Sequence, residues 1–333
     1  MTAVDFDKLF SAFAGLKVAV IGDVMLDTYW WGKVERISPE APVPVVAVTK
    51  KDYRLGGAAN VALNIKALQA DVAMFSVIGQ DDDAKLLKKR FDEEGIGTSH
   101  LLESAKRITT NKSRIISRNQ QMMRLDAEIT EDLDDEDETR LIEAIRGYFE
   151  KEKPQVVIFE DYNKGVLTER VITTVINLCH QYNIITTVDP KRKNFFTYRG
   201  VSIFKPNLKE VKDALNLLSD DLDLPALLLI HQRLSEKLLH KISLITLSEK
   251  GVFYNQTAAS GIVPSHVRNV SDVSGAGDTV IAVASLVYAI TSDTLLMAET
   301  ANIAGGLVCE QVGTVAINKE RLLEECKLLL CDE

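Results

Sequence analysis

The stretch Asp272-Val-Ser-Gly-Ala-Gly-Asp278 decides how the rest of the chain is interpreted. It leads into a small, apolar run at 279–290 that predicts a helix. Its glycines carry no Cβ, and the start of a helix offers N–H groups without intrahelical partners, so this turn suits a phosphate. An aspartate beside such a cradle suggests a general base for an attacking hydroxyl. A glycine-rich turn capped by an aspartate accounts for these seven residues equally well.

The composition describes a soluble protein with one large α/β domain or two ordinary ones. Its 333 residues are 46% hydrophobic and 26% charged, and 48 acidic against 39 basic residues give a formal charge of −9. That balance argues against a nucleic-acid partner but leaves room for a small anionic substrate. The four cysteines have no zinc-type spacing, and neither a signal-peptide pattern nor a membrane-length apolar run occurs. We therefore expect reduced thiols, a cytoplasmic location and no membrane partner.

Short apolar runs followed by polar residues recur along the chain. The first, at 17–22, predicts a buried parallel strand ending in Asp23-Val-Met-Leu-Asp27, whose two carboxylates are candidate hydroxyl acceptors. A turn capped by Asp23 is the alternative. Later runs end in the polar segments Glu160-Asp161, Asp189-Pro-Lys191, Lys205-Pro-Asn207 and Ser248-Glu-Lys-Gly251. Because the carboxyl ends of parallel strands meet at one rim of a sheet, these segments predict a functional site there.

Two further patterns bear on that site. The segment Arg54-Leu-Gly-Gly-Ala-Ala-Asn60 is a second glycine-rich entry into a helix, although a simple Gly-Gly hinge would look the same. Residues at about 29–55 and 107–126 combine β-branched residues, prolines and period-two alternation, which predicts a small β-sheet over the site. Long polar side chains in the second segment could hold a phosphorylated sugar, or they could form a solvated sheet face.

The motifs exclude some nucleotide-binding classes and resemble one family. The chain has no GxxxxGK[ST] loop and no GxGxxG after the first strand. From about 17 to 315 it resembles the ribokinase-like (PfkB) carbohydrate kinases. One family signature matches the stretch that begins Gly56-Gly-Ala-Ala-Asn60, with Gln69 where a small residue is usual, and the other matches 272–278. The resemblance implies a three-layer α/β fold with a central, mostly parallel sheet and a β-sheet lid, in a single kinase domain spanning 1–333.

Within that family, the chain is most similar to heptose 7-phosphate kinases of ADP-heptose synthesis. The similarity lies in Gly22-Asp-Val-Met-Leu-Asp27, Arg36-Ile-Ser-Pro-Glu-Ala-Pro-Val-Pro-Val45, Ser117-Arg-Asn-Gln-Gln121 with Arg124-Leu-Asp126, Asp161-Tyr-Asn-Lys-Gly165 and Asp189-Pro-Lys191. Many such relatives carry a fused nucleotidyltransferase domain, which we do not expect here. The resemblance implies ATP-dependent phosphorylation of D-glycero-D-manno-heptose 7-phosphate at O1, for a lipopolysaccharide core precursor. The alternatives are another sugar or nucleoside kinase of this family and a non-catalytic sugar-phosphate sensor.

The resemblance also implies roles for individual residues. Asp278 would be the base, and the backbone N–H groups around Gly275, Ala276 and Gly277 would stabilise the transferred phosphoryl group. The expected nucleotide-binding residues are Asn207, Glu210, Thr246, Ser248, Glu249, Gly251 and Asn302. Of these, Asn207 and Glu210 would organise Mg²⁺ through water. The expected substrate-binding residues are Asp23, Asp27, Gly56, Gly57, Asn60, Arg118, Asn119, Gln121, Asp161 and Lys191. A homodimer through the β-lid is also implied.

Overall fold

The computed structural model describes residues 4–118, 120–218, 223–256 and 259–330. The helices are α1 (Phe6–Ala12), α2 (Ala58–Ala67), α3 (Asp82–Glu93), α4 (Asp135–Glu152), α5 (Glu169–Tyr182), α6 (Leu208–Leu215), α7 (Leu224–Leu238), α8 (Ala276–Thr291), α9 (Thr294–Cys309) and α10 (Lys319–Leu330). The strands are β1 (Lys17–Gly22), β2 (Val24–Ile37), β3 (Pro44–Gly57), β4 (Asp71–Ile78), β5 (Leu101–Glu103), β6 (Asn111–Ser117), β7 (Gln120–Ala127), β8 (Val156–Glu160), β9 (Ile185–Asp189), β10 (Ile203–Phe204), β11 (Ile242–Thr246), β12 (Val252–Gln256) and β13 (Ala259–Val263).

A nine-stranded sheet forms the centre of the molecule. Its strand order is β13-β12-β11-β10-β9-β8-β1-β4-β5, and its strands from β5 to β11 pair in parallel. The antiparallel strands β12 and β13 close one edge. Strand β1 lies between β4 and β8 and is fully paired on both sides, as its apolar sequence predicts.

Helices cover both faces of this sheet, because successive side chains of a strand point to opposite faces. In β1, Val18 and Val20 pack on the side that carries α1, α2, α3, α8, α9 and α10. Ala19 and Ile21 pack on the other side, against α4 to α7. The two apolar cores on either side of one sheet make the three-layer α/β arrangement that the sequence predicts.

A second sheet of four strands, in the order β3-β2-β6-β7, forms the lid. The long β2–β3 hairpin begins immediately after β1 and returns directly into α2. Strand β6 joins β2 in parallel, and β7 pairs antiparallel with β6. All of β7 is exposed, and it forms an edge of the lid.

The structure confirms the central strands and the lid, and it adds elements that the sequence patterns did not reveal. These are α1, the short strand β5, the edge strand β13 and the C-terminal helix α10. Gln69, the departure from the family signature, lies just after α2 with φ of +70°, a conformation that favours glycine. Its side chain accepts a hydrogen bond from Lys319 Nζ at 2.6 Å. Within the described ranges no helix is both long and apolar enough to cross a membrane.

Candidate active site

Asp278 lies in the first turn of α8 and is buried. Its Oδ1 accepts a hydrogen bond from Tyr162 Oη at 2.7 Å, and its Oδ2 accepts one from Asn60 Nδ2 at 2.8 Å. Burial raises the pKa of Asp278, and these two donors partly oppose that rise. The carboxylate is therefore oriented by two neutral donors and has no ion-pair partner among the described residues, which suits a group that takes up a proton.

The start of α8 requires glycine at position 275, whereas at position 277 a Cβ would make only ordinary contacts. Gly275 is the N-cap of α8 with φ of +80°, and a Cβ there would lie 2.7 Å from Asn60 Nδ2. At Gly277, a Cβ would lie 3.4 Å from Asp189 Oδ2 and 3.6 Å from Lys205 Nζ. The start of the helix thus lies beside a buried lysine, and the positive end of the helix dipole and that ammonium together make a favourable environment for a phosphate.

The carboxyl ends of three neighbouring strands place charged side chains in one row of the sheet. Glu160 ends β8 and is in register with Asp189 at the end of β9, and Lys205 follows β10 at the same level. Lys205 is 2% exposed and lies 2.8 Å from Asp189 Oδ2. Burial disfavours the Asp189 carboxylate, but Lys191 and Lys205 outweigh it and hold the pKa of Asp189 below its ordinary value. This ionised pair is fixed beneath the turn at 275–277.

Glu160 has a different environment from its neighbour. Both of its carboxylate oxygens are buried, and neither has a hydrogen-bond partner in the described structure. Burial, followed by the nearby Asp189 and Asp278 carboxylates, raises its pKa well above the ordinary value. Its surroundings therefore favour the protonated over the ionised carboxyl, since an unpaired buried carboxylate is costly.

Lys191 connects this row to the start of α6. Its ammonium lies 3.2 Å from Asp189 Oδ1 and 2.6 Å from Glu210 Oε1. Asn207 and Glu210 form a reciprocal capping box, in which Asn207 Oδ1 accepts from the Glu210 N–H and Glu210 Oε2 accepts from the Asn207 N–H, each at 2.8 Å. The N-x-x-E spacing thus serves the helix start itself. It also places the Glu210 carboxylate against the Lys191 ammonium.

The profile of the pfkB family carbohydrate kinase matches residues 16–321. The chain belongs to this family. That assignment confirms both the resemblance found from the two signatures and the prediction of a phosphotransferase of the carbohydrate-kinase type.

Two curated relatives illustrate the match in sequence. The bifunctional protein HldE of Syntrophotalea carbinolica is 38% identical over 325 residues, which cover 97% of this chain and 66% of that protein. The bifunctional protein HldE of Geotalea uraniireducens is 37% identical over 331 residues, covering 98% and 66%. The chain thus spans just under two thirds of the length of these relatives.

Solved structures agree with the architecture. Phosphofructokinase-2 from Escherichia coli in complex with potassium superposes with a TM-score of 0.75 at 14% identity, covering 93% of this chain and 99% of that one. Arabidopsis thaliana ribokinase complexed with ribose and ATP gives 0.72 at 15% identity, with the same coverage. At such low identity these likenesses show the fold alone, and they confirm the ribokinase-like prediction.

Two of the aspartates predicted to bind substrate in this pfkB-type cleft, Asp23 and Asp161, already accept hydrogen bonds from the protein itself. Asp23 is buried, and its oxygens accept three backbone N–H groups, from Tyr162 at 2.8 Å, Lys164 at 3.0 Å and Val166 at 3.1 Å. This geometry favours the alternative of a capped turn over a contact with a sugar hydroxyl. Asp161 accepts from the Asn163 N–H and from Tyr198 Oη, each at 2.8 Å, and burial raises its pKa to about 6.

Asp27 and the two glycines of the first signature join the lid to the body. Asp27 Oδ1 lies 2.5 Å from Arg114 of β6, and its Oδ2 accepts from Thr314 Oγ1 at 3.0 Å. A Cβ on Gly56 would lie 2.4 Å from Asp27 Oδ2, and one on Gly57, with φ of +58°, would lie 2.5 Å from the Asp23 carbonyl. These glycines therefore permit the close approach of two backbone segments.

The remaining predicted residues divide between the nucleotide side and the lid. Thr246 bridges to Asn207 at the end of β11, and Asn302 Nδ2 donates to the Pro264 carbonyl at 2.8 Å. Ser248 and Glu249 are exposed, and Gly251 has φ of +97° with no room for a Cβ beside the Val263 carbonyl. Arg118 and Gln121 are exposed on the lid, where Gln121 pairs with Ile116 across the β6–β7 hairpin, and among the described residues neither makes a hydrogen bond to Asp278. Asn119 lies outside the described residues.

Sequence reasoning missed four side chains that the structure places in the cleft. Tyr162 and Glu160 stood inside a polar segment after a predicted strand, but nothing in the pattern set the phenol or the first carboxylate apart. Lys205 stands two residues before Asn207 of the N-x-x-E element. A signal was available in the sequence, because the acidic residues at the strand ends require a cation that neutralises their charge. Lys112 of β6 lies with its ammonium 5.3 Å from the centre of the Tyr162 ring, a cross-sheet relation that no local pattern contains.

Proposed function

We propose that this chain transfers a phosphoryl group from ATP to O1 of D-glycero-D-manno-heptose 7-phosphate. The observation that carries the proposal is the buried Asp278 carboxylate, held by Tyr162 and Asn60 beside a positively charged helix start. Membership of the pfkB family supports the reaction class, and the relatives named HldE support the acceptor, given the resemblance of this chain to heptose 7-phosphate kinases. The product would be the heptose 1,7-bisphosphate, in the synthesis of ADP-heptose.

Asp278 would accept the proton of the anomeric hydroxyl as that oxygen attacks the phosphorus. A hemiacetal hydroxyl is more acidic than an ordinary alcohol, and the raised pKa of Asp278 makes it a stronger base than a solvated aspartate. The N–H groups around Gly275, Ala276 and Gly277 would stabilise the charge that develops on the transferred group. The nearby Lys205 ammonium would add to that stabilisation without moving, because its pair with Asp189 fixes it.

The charged residues at the strand ends fit a nucleoside triphosphate. Two cations, Lys191 and Lys205, line the row of strand ends between the α6 and α8 helix starts. Thr246, Ser248, Glu249, Gly251 and Asn302 would contact the rest of the nucleotide, as the family resemblance implies.

The side chains of Asn207 and Glu210 fit a Mg²⁺ ion that is bound through water rather than directly. Both Glu210 oxygens are engaged, by Lys191 and by the Asn207 N–H. No group of three or more acidic, histidine or cysteine side chains within the described ranges could hold a metal ion by itself. Asn207 and Glu210 would therefore bind the hydrated ion, which supplies neutralisation of phosphate charge when bound.

The acceptor sugar would lie between the base and the lid. Asp27 faces this space from β2, and Asn60 reaches it from α2, so both could touch sugar hydroxyls while holding their present partners. Asp23 and Asp161 would not touch the sugar; they would hold the loop at 161–166 that carries Tyr162. For Arg118, Asn119 and Gln121 the proposal from sequence stands without support from their position.

A homodimer through the lid belongs to the same proposal. Large apolar side chains are exposed on the lid strands, where a partner would cover them; they are Val48 on β3 and Met122, Met123 and Leu125 on β7. An exposed edge strand of this kind favours pairing with a second copy.

The mechanism is tested by Asp278→Asn, which keeps the size of the side chain and removes its basicity. We expect kcat to fall by about 10²- to 10⁴-fold, the usual contribution of a general base, while ATP binding measured by calorimetry stays unchanged. The matched control is Asp293→Asn, the same change at the N-cap of α9 outside the cleft. Turnover near the wild-type rate in the Asp278 variant would remove this residue from the role of base.

The acceptor is tested by measuring ADP release with a panel of sugars and sugar phosphates. We expect the highest kcat/KM for D-glycero-D-manno-heptose 7-phosphate. Equal or better turnover of ribose, fructose 6-phosphate or adenosine would overturn the assignment of the acceptor but not the role of Asp278.

A further inference from the structure

Lys112 of β6 is a half-buried cation without an anionic partner among the described residues. Within the described ranges no carboxylate lies within ion-pair distance of its ammonium, which lies 5.3 Å from the centre of the Tyr162 ring. Burial, followed by repulsion from the nearby Lys164, lowers the pKa of Lys112. A charge that has lost part of its water and gained no counter-ion is unfavourable in the free protein.

The acidic groups nearest to Lys112 are each paired with another residue. Asp27 and Asp126 stand opposite Lys112 on the strands to either side, and Glu128 lies close by. Their partners are Arg114 at 2.5 Å, Arg124 at 2.9 Å and Lys164 at 2.7 Å, respectively. Lys112 is therefore the cation left over when the charges on this part of the lid are paired.

The position of Lys112 relative to the base follows from one aromatic ring. Tyr162 presents its ring to the Lys112 ammonium and donates its phenolic hydrogen to Asp278 Oδ1 at 2.7 Å. Given the fixed size of a tyrosine side chain, the ammonium lies within about 11 Å of the base. It belongs to β6 of the lid, and the Lys191 ammonium of the cleft lies 5.4 Å from the centre of the same ring.

We infer that Lys112 binds the phosphate monoester already carried by the acceptor sugar and so selects phosphorylated over unphosphorylated acceptors. The inference rests on the proposed function, since it places the acceptor between Asp278 and the lid. A sugar with the reacting hydroxyl at one end and a phosphate at the other spans this distance. The phosphate would supply the missing counter-ion and would also relieve the repulsion between Lys112 and Lys164.

The nucleotide is the other source of phosphate, and the test separates the two. Lys112→Met removes the charge but keeps the length and the apolar contact with Tyr162, whereas Lys112→Arg keeps the charge. The matched control is Lys51→Met, because Lys51 is also a lid lysine with its ammonium over an aromatic ring, 4.0 Å from the centre of Trp30, but on an exposed surface.

For each variant, calorimetry would measure binding of D-glycero-D-manno-heptose 7-phosphate, of the unphosphorylated heptose and of ATP, and steady-state kinetics would follow. In Lys112→Met we expect the dissociation constant and KM for the phosphorylated sugar to rise about 10- to 100-fold, as for loss of a charged hydrogen bond. Affinity for the unphosphorylated heptose and for ATP should stay within twofold, Lys112→Arg should recover most of the loss, and Lys51→Met should match the wild type.

The inference is overturned if Lys112→Met weakens the phosphorylated and unphosphorylated sugars equally, since that pattern indicates a structural part. A rise confined to ATP would assign Lys112 to the nucleotide and overturn it as well. Failure of the proposed function is a different result, because it shows in the wild type as a preference for another acceptor in the panel. A wild type that prefers heptose 7-phosphate with an unaffected Lys112→Met variant would refute the inference alone.

Discussion

Tyr162→Phe tests whether the phenol sets the proton affinity of the base. The substitution removes one hydroxyl and leaves the ring that contacts Lys112 and Lys191. Asp278 keeps the hydrogen bond from Asn60 and loses the one at 2.7 Å from Tyr162. Because a donor to the ionised carboxylate lowers the pKa of Asp278, its loss raises that pKa further above the ordinary value.

The size of the effect follows from the strength of a hydrogen bond to a charged acceptor, which is about 1.5–3 kcal/mol. At a pH below the acid limb of both proteins, the rate follows the ionised fraction of the base. There the wild type should exceed the variant in kcat/KM by about 10- to 100-fold, since 1.36 kcal/mol is a factor of ten. On the plateau at higher pH, where Asp278 is ionised in both, the two rates should converge.

The measurement is a pH profile of kcat/KM for both proteins, with Tyr198→Phe as the control. Tyr198 also donates its phenol to a buried carboxylate, Asp161 at 2.8 Å, but that carboxylate is not the proposed base. The control should lose stability and leave the acid limb in place. A Tyr162→Phe profile that lies below the wild type by the same factor at every pH would refute this account, because the phenol would then act only on geometry.

Two further predictions concern stability and assembly. Glu160→Met should raise the free energy of unfolding by about 1–3 kcal/mol at pH 8 and by less at pH 5. The pKa of Glu160 is higher in the folded than in the unfolded protein, so the wild type loses stability as the pH rises above the pKa of an unfolded glutamate. Urea unfolding of both proteins at the two pH values checks this, and an equal gain at both would contradict it. Leu125→Asp on the exposed edge strand β7 should turn a dimer into a monomer in light scattering, whereas Leu328→Asp, at a leucine that is also exposed but lies on α10, should not. A wild type that is already monomeric would contradict the lid interface.

The fold was predictable because its strongest signals are local. A continuous apolar run such as 17–22 predicts a strand buried on both faces, and β1 has a parallel neighbour on each side, β4 and β8. Likewise, the prolines and alternating residues of the two lid segments indicated extended structure away from the main sheet. Short or exposed elements, such as β5 and β13, carry too few residues for periodicity to distinguish them.

The site was predictable only where a role depends on local sequence. Asp278 and its glycines could be proposed from the sequence because one turn carries the carboxylate, the helix start and the positive φ together. The role of Asp23 could not be read in the same way. Its three donors come from residues about 140 positions later, and the sequence gives no measure of whether a carboxylate at a strand end faces a ligand or a loop.

The two aspartates at the ends of the 272–278 stretch are held by different parts of the protein. Asp278 faces Tyr162 and Asn60, so the base is fixed to the body of the protein. Asp272 faces the other way: its Oδ1 accepts from the Ser274 N–H, and its Oδ2 accepts from the Gly313 N–H at 2.9 Å. The segment at 312–314 is also where the lid is attached, through Arg54 to the carbonyls of 312 and 314 and through Asp27 to the hydroxyl of 314. The turn at 272–278 and the lid therefore share one support, the segment at 312–314, to which each is joined by direct hydrogen bonds.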